Sequence, residues 1–227
     1  MKYIIFGLGN FGASLAEKLT NLGNEVIGVD NNMAKIDALK EKISHTICLD
    51  ATDQLTVSGL PLQETDVVIV AIGENQGANI LVTALLKNLK VKRLISRAIN
   101  PLHENVLQAI GVDEIVHPEE ETAERWSNHL CLQGVLDSFE INNEFGVIKI
   151  VAPAIFHNKM LGQINFEKNH NLKVLTTIKT NKSKNLLGFG KEQRKVQGFV
   201  GPDLMVDEGD ILVLYGASVD IEKFLKE

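Results

Sequence analysis

The fold is decided by the stretch Tyr3-Ile4-Ile5-Phe6-Gly7-Leu8-Gly9-Asn10-Phe11-Gly12, which a helical segment separates from Val26-Ile27-Gly28-Val29-Asp30. An apolar run precedes the G-x-G-x-x-G pattern, a helix-like segment follows it, and an acid ends the next apolar run. This order is typical of a nucleotide-binding βαβ unit. In such a unit Gly7 permits the tight turn, Gly9 lets the backbone approach a pyrophosphate, and Gly12 lets the helix pack on the strand.

Asp30 is expected to accept hydrogen bonds from a ribose diol at the end of its strand. Its charge would also repel a 2′-phosphate, because the following Asn31 and Asn32 supply no cation. A simpler alternative is a doubly wound domain in which the glycines only form the turn.

Length and composition set the broad class. The 227 residues suit one large or two small domains, and 44% hydrophobic with 23% charged residues is usual for a soluble protein. No apolar stretch approaches the roughly 20 residues of a membrane helix, so a cytoplasmic location is expected. The net charge of −6 lies wholly in residues 1–135, which argues against nucleic-acid binding. Cys48, Cys131 and the six histidines show no metal-ligand or redox spacing.

Strand-like and helix-like segments alternate beyond the first unit. Further apolar runs occur at 46–49, 66–72, 93–96 and 114–116, with helical patterns clearest at 79–89 and 102–110. Strands that alternate with helices form parallel sheets with right-handed crossovers. The sequence therefore predicts an α/β, Rossmann-like, doubly wound parallel sheet of six strands over residues 1–135.

The periodicity changes after this region. Pro118-Glu119-Glu120-Glu121 predicts the start of a helix that continues through Trp126 and Leu130 to Leu136. Short β runs then follow at 145–151, 172–178 and 211–215, with a final helix at 219–226. We expect a small α+β domain over residues 136–227, with the boundary near residue 136.

Several segments together resemble one family. Besides the glycine pattern and Val29-Asp30, the chain has Asp50-Ala51-Thr52, Ala71-Ile72-Gly73, Gly111-Val112-Asp113, His117-Pro118-Glu119, Met160-Leu161-Gly162 and Glu208-Gly209-Asp210-Ile211-Leu212. In these segments and in its length the chain resembles the cytosolic regulators of potassium conductance of the TrkA and KtrA type, also called RCK or KTN proteins.

The resemblance implies a peripheral, non-enzymatic gating subunit on the inner face of the plasma membrane. Such subunits form homo-oligomers, from dimers to octameric rings, beneath a Trk- or Ktr-type potassium transporter pore subunit. They bind adenine nucleotides, NAD/NADH or ADP/ATP, in the N-terminal (RCK_N or TrkA-N) domain. The C-terminal (RCK_C or TrkA-C) domain serves ligand binding and dimerisation. The helix from Pro118 to Leu136 is the candidate for one interface, with Trp126 and Leu130 as apolar anchors; otherwise it packs within its own subunit.

The resemblance also implies a set of nucleotide-binding residues: Gly7, Gly9, Asn10, Phe11, Gly12, Asp30, Asp50, Ala51, Thr52, Ala71, Ile72, Gly73 and Arg97. Asn10 departs from family members tuned to ATP, which often have an arginine there, so strong discrimination of ATP over ADP is not expected and NAD or ADP stays open as the ligand. Arg97 either supplies the missing cation or is a solvated charge. Residues 50–52 either frame the adenine or form a Thr-capped turn before Gln54.

Two further sites depend on the resemblance. Glu119 matches an acid that helps to hold Mg²⁺ or Ca²⁺ with the nucleotide at the subunit interface; alternatively, Glu119 to Glu121 only complement a helix N-terminus. The segment from Lys173 to Lys195 has seven basic groups and one acid, Glu192. It is either a solvated hairpin face or a site for an anion such as a cyclic dinucleotide.

Two other functions remain open at this point. An NAD-dependent oxidoreductase would use the same cofactor fold, but Tyr3 and Tyr215 are the only phenols and neither belongs to a Tyr-x-x-x-Lys arrangement. A nucleotide-sensing scaffold unconnected with transport is the other alternative.

Overall fold

The computed structural model describes residues 1–131, 134–184 and 190–226; at residues 128, 129, 131, 181–184 and 190–193 it describes the backbone alone. The chain divides into two compact units, Met1–Glu120 and Glu121–Glu227. The predicted domain boundary at 135/136 remains a prediction.

The first unit is a six-stranded parallel sheet with helices on both faces, which confirms the predicted fold class. Its elements are β1 Lys2–Phe6, α1 Asn10–Asn21, β2 Glu25–Asp30, α2 Met33–Leu39, β3 His45–Cys48, α3 Gln54–Ser58, β4 Val67–Val70, α4 Gln76–Asn88, β5 Leu94–Arg97, α5 Pro101–Ile110 and β6 Glu114–Val116. The strand order is β3-β2-β1-β4-β5-β6. This order reverses direction between β1 and β4, which is where doubly wound sheets bind ligands.

Alternation along the central strands builds a core on each face of this sheet. Ile4 and Phe6 of β1 pack with Val68 and Val70 of β4 on one face. Ile5 packs with the other cluster, whose members include Leu8, Ala16, Val26, Ile36 and Ile69. All four residues of β4 are buried, as expected for a strand covered on both sides.

The second unit is built on an antiparallel sheet. Helix α6 spans Pro118–Cys131 and enters this unit, and the elements that follow are β7 Val135–Glu140, β8 Phe145–Val151, β9 Lys159–Met160, α7 Leu161–Ile164, α8 Phe166–His170, β10 Lys173–Lys184, β11 Gly190–Val196, β12 Met205–Val206, β13 Ile211–Ala217 and α9 Ser218–Leu225. The five-stranded sheet has the order β11-β10-β13-β8-β7, and β12 pairs with β9. Its core combines strand residues such as Ile150 and Leu214 with Phe156, Phe166 and Phe224.

One prediction about these elements is wrong. The helix from Pro118 does not continue to Leu136, because α6 ends at Cys131 and β7 begins at Val135. Gly134, with a left-handed φ of +79°, directly precedes Val135, which pairs with Ile150 of β8. No apolar run marked β11, whose residues Lys191-Glu192-Gln193-Arg194-Lys195 are polar, but its antiparallel pairing with β10 agrees with the hairpin that was one interpretation of residues 173–195. β11 lies at the sheet edge, where charged residues are usual.

His103 gives the first unit a predicted pH dependence. The side chain lies in the first turn of α5, is 3% exposed, and has no hydrogen-bond partner on either ring nitrogen among the described residues. Burial lowers the pKa of His103 below its usual 6.5. As pH falls below that value the unfolded chain takes up a proton that the folded protein excludes. His103 should therefore lower the free energy of unfolding by up to about 1.4 kcal/mol for each pH unit of acidification.

Urea unfolding between pH 7.5 and 5.5 would measure this slope. His103→Leu should reduce the slope, whereas the same change at the exposed His45 should leave it close to wild type. Equal slopes for wild type and His103→Leu would contradict the assignment.

Candidate nucleotide-binding site

A cleft of about 420 Å³ opens at the carboxyl ends of the parallel strands. It is lined by twelve of the thirteen residues predicted to bind a nucleotide: Gly7, Gly9, Asn10, Phe11, Asp30, Asp50, Ala51, Thr52, Ala71, Ile72, Gly73 and Arg97. Gly12 is the exception. Loops that are distant in sequence therefore converge on one site at the reversal of strand order.

The three glycines of the motif differ in their surroundings. Gly7 has a φ of +95°, and its N–H donates to the carbonyl of Val29 at 2.8 Å. Gly9 precedes α1, and a Cβ built there would meet no atom within 4 Å. A Cβ on Gly12 would overlap the carbonyl oxygen of Gly7. Gly12 therefore allows α1 to contact the turn, and the free space above Gly9 lies in the cleft.

The carboxylate of Asp30 orders the same turn. Its Oδ2 accepts a hydrogen bond from the N–H of Leu8 at 2.7 Å, and its Oδ1 accepts one from the N–H of Asn32 at 2.9 Å. The residue is 8% exposed and lines the cleft. Each carboxylate oxygen has a further lone pair, so Asp30 can hold the loop and accept a ribose hydroxyl together.

Lys35 corrects one expectation about Asp30. Sequence neighbours Asn31 and Asn32 are uncharged, but the Nζ of Lys35, in the first turn of α2, lies 3.7 Å from Asp30 Oδ2. The same Nζ lies 3.8 Å from Oε1 of Glu74, across the cleft. A cation is thus present beside Asp30, which reduces the expected repulsion of a 2′-phosphate. The sequence signal that could have revealed this cation is the position of Lys35, five residues after Asp30 in the first turn of the helix that follows β2.

The segment after β3 forms a compact turn. Both the N–H and the hydroxyl of Thr52 donate to Oδ1 of Asp50, at 2.9 and 2.7 Å. These two hydrogen bonds lower the pKa of the Asp50 carboxyl. The N-cap of α3 is Asp53, which accepts from the N–H of Leu55 at 2.9 Å, so the alternative of a Thr52 cap is wrong.

Asn79 is a residue of the site that sequence reasoning missed. It is fully buried in α4, and its Nδ2 donates to the carbonyls of Ile72 at 2.9 Å and Arg97 at 3.2 Å. Its Oδ1 accepts from the hydroxyl of Ser96 at 3.1 Å. The side chain therefore joins the ends of β4 and β5, which support two loops of the cleft. Polar Asn79 and Thr83 beside Val82 and Leu86 on one helical face were the available signal.

Arg97 and Glu119 form an ion pair at the edge of the cleft. The guanidinium lies against Gly73, where a Cβ would overlap it. Arg97 Nε is buried and has no acceptor among the described residues. Arg97 thus lies in the cleft, where the interpretation of this residue as a cation for the nucleotide requires it to be. Asn10 also lines the cleft and contributes no charge.

The donor set around Glu119 does not by itself form a metal site. Within the described part of the chain, no three His, Cys, Asp or Glu side chains are grouped so as to hold a metal ion. Glu119 offers one carboxylate, and Arg97 already pairs with it. A divalent cation here would need ligands from outside this set.

Other predicted features lie outside the cleft. In the basic segment, residues 185–189 and the side chains of 181–184 and 190–193 lie outside the described residues, as do the side chains of His129 and Cys131. Lys179 has a structural role, with Nζ 2.7 Å from Asp207 and 2.6 Å from Asp210. Burial lowers the pKa of Lys179, but the hydrogen bonds to Asp207 and Asp210 outweigh it, so the pKa is raised overall. Trp126 and Leu130 are 54% and 75% exposed.

Comparison with known sequences establishes the family. Residues 3–118 match the TrkA-N domain. The chain belongs to the TrkA-N family. It is 32% identical to the Ktr system potassium uptake protein C of Bacillus subtilis over 99% of this chain and 96% of that protein. It is 28% identical to the Ktr system potassium uptake protein A of the same organism, over 100% of this chain and 96% of that protein. The predicted resemblance to TrkA/KtrA-type proteins is confirmed.

Solved structures agree with the fold. The GsuK channel bound to NAD matches 100% of this TrkA-N family chain with a TM-score of 0.66 and 16% identity. This chain spans 39% of that channel subunit. The Kef C-terminal domain of Shewanella denitrificans in its AMP-bound form matches 58% of the chain, with a TM-score of 0.51 and 17% identity. Within residues 1–131, 134–184 and 190–226, no helix has the length and apolar character needed to span a membrane.

Proposed function

We propose that this TrkA-N family protein is a cytosolic, nucleotide-sensing regulatory subunit of a membrane potassium uptake system. The observation that supports this most directly is the similarity to the Ktr system potassium uptake protein C, which extends over 99% of the chain. The similarity therefore includes both compact units and not only the nucleotide-binding fold. The protein would associate with the inner face of the plasma membrane through a Trk- or Ktr-type pore subunit.

We propose an adenine nucleotide as the ligand of the cleft. Two proteins of the same fold were solved with NAD and with AMP, which share an adenosine phosphate. Asp30 would accept the ribose hydroxyls, the open backbone at Gly9 would receive phosphate, and residues 50–52 and 71–73 would flank the base. Mg²⁺ or Ca²⁺ beside Glu119 is part of the proposal only as an ion held jointly with nucleotide phosphate.

Regulation would follow from unequal binding. A nucleotide changes the state of the transporter only if it binds two conformations of the regulator with different affinities. In the proposal, exchange of NAD for NADH, or of ADP for ATP, alters the arrangement of subunits in a homo-oligomeric ring of two to eight chains. The exposed Trp126 and Leu130 on α6 support a subunit interface there. Light scattering should find a dimer or a larger ring, and a strict monomer would contradict the assembly.

Copurification tests the transport role. A tagged full-length chain, recovered from detergent-solubilised membranes of its own host, should bring down a potassium transporter pore subunit. Deletion of the gene should reduce potassium uptake, and the wild-type gene should restore it. A protein that binds nucleotide but recovers no transporter and leaves uptake unchanged would favour a sensing scaffold without a transport role.

The Asn10 position predicts weak discrimination between ATP and ADP. Because Asn10 offers no cation to a third phosphate, ATP should bind at most about tenfold more tightly than ADP, a difference of about 1.4 kcal/mol. Asn10→Arg should increase this preference, and calorimetric titration with both nucleotides would measure it. A hundredfold native preference for ATP would show that another group, such as Arg97, recognises the terminal phosphate.

We also propose that the protein binds its nucleotide without chemistry. Purified protein mixed with NADH and common aldehydes, ketones or hydroxy acids should show no turnover. Loss of NADH absorbance that is proportional to protein and dependent on substrate would instead support an oxidoreductase.

A further inference from the structure

The ion pair between Arg97 and Glu119 joins two groups with unequal freedom to move. The carbonyl of Arg97 accepts from the buried Asn79, and its guanidinium lies against the backbone of Gly73. The side chain of Arg97 is 17% exposed, whereas that of Glu119 is 66% exposed. Arg97 is therefore held in place, and Glu119 can leave into solvent.

The hydrogen bonding of Arg97 is incomplete. Glu119 accepts from one terminal nitrogen, but the buried Nε–H finds no acceptor among the described residues. A buried donor without an acceptor is unfavourable, and a guanidinium fork is shaped to satisfy two oxygens of one phosphate. Arg97 lines the same cleft as Gly9 and the start of α1, where phosphate is expected. Glu119 is thus paired with the guanidinium that a phosphate group would otherwise bind.

We propose that Glu119 is a built-in competitor for the nucleotide phosphate, which the ligand must displace from Arg97 in order to bind. The inference rests on the proposed function, since it concerns regulation of the same cleft. When a ligand with phosphate groups binds, its several phosphate oxygens replace the single carboxylate at the Arg97 guanidinium. Glu119, in the first turn of α6, is then released. A nucleoside without phosphate leaves the pair intact. The pair therefore selects for phosphorylated ligands and lowers their apparent affinity.

Calorimetry of the full-length protein in EDTA, with ADP and adenosine as probes, tests this proposal. Glu119→Gln should tighten ADP binding by about three- to fivefold, the upper part of the range expected of an exposed ion pair, and leave adenosine unchanged. Glu120→Gln removes one charge from the neighbouring exposed position and should change ADP affinity by less than about twofold. Thermal unfolding of each variant would verify that it folds.

A double-mutant cycle separates competition from simple charge removal. In an Arg97→Gln background, Glu119→Gln should no longer tighten ADP. Three results would overturn the inference and leave nucleotide binding itself intact. The first is that Glu119→Gln still tightens ADP binding in the Arg97→Gln background, the second that it tightens adenosine binding equally, and the third that on its own it leaves ADP binding unchanged or weaker. Failure of both wild type and Glu119→Gln to bind ADP would overturn the proposed ligand and the inference with it.

Discussion

Gly12→Ala is expected to lower the free energy of unfolding by about 3 kcal/mol, at the upper end of the cost of overpacking a core. The added Cβ would overlap the carbonyl oxygen of Gly7 and lie 3.1 Å from the Cβ of Ala71. Neither the turn nor β4 can move without disturbing the buried strand ends. The midpoint of thermal unfolding, measured by calorimetry on the full chain, should fall by roughly 10 °C.

Gly9→Ala is the matched control for this change. A Cβ at Gly9 meets no atom within 4 Å, so this variant should unfold close to the wild-type temperature. It should nevertheless bind nucleotide more weakly, because the new methyl group occupies the space proposed for phosphate. A midpoint for Gly12→Ala equal to that of wild type would show that the helix does not need this close contact.

Asp30→Ala is expected to weaken adenine-nucleotide binding by about 1.5 to 3 kcal/mol, the range for a hydrogen bond to a charged group. This corresponds to about a 10- to 150-fold increase in the dissociation constant. The change also removes the acceptor for the N–H of Leu8, so the glycine turn loses an anchor. Calorimetric titration with NAD, ADP and AMP would measure the effect.

Two variants sharpen the Asp30 experiment. Asp30→Asn retains an oxygen for Leu8 but loses the charge, and should bind with intermediate affinity. Asp37→Asn removes a carboxylate from the exposed side of α2, where it pairs with Lys40, and should bind like wild type. If Asp30→Ala bound nucleotide as tightly as wild type, the ribose role of Asp30 would be rejected.

The parallel sheet was predictable because its central strands, such as β1 and β4, are nearly continuous apolar runs. A strand such as β4 is buried on both faces, so it leaves a clear signal, and β6 has the predicted bounds. The second unit was less predictable. The polar edge strand β11 is specified by pairing with β10 and has no apolar pattern of its own. The helical pattern of the sequence continues through Leu136 and gave no sign that α6 ends at Cys131.

The sequence by itself determined the glycine turn, the acid at the end of β2 and the family, because these features lie in short segments whose spacing is local. The tertiary structure alone decided that Lys35 faces Asp30, that Asn79 joins the ends of β4 and β5, and that Arg97 pairs with Glu119. Arg97 and Glu119 are 22 residues apart; Arg97 is the last residue of β5, and Glu119 follows β6. Contacts between such loops depend on the order in which strands are placed in the sheet, and no local pattern of residues encodes that order.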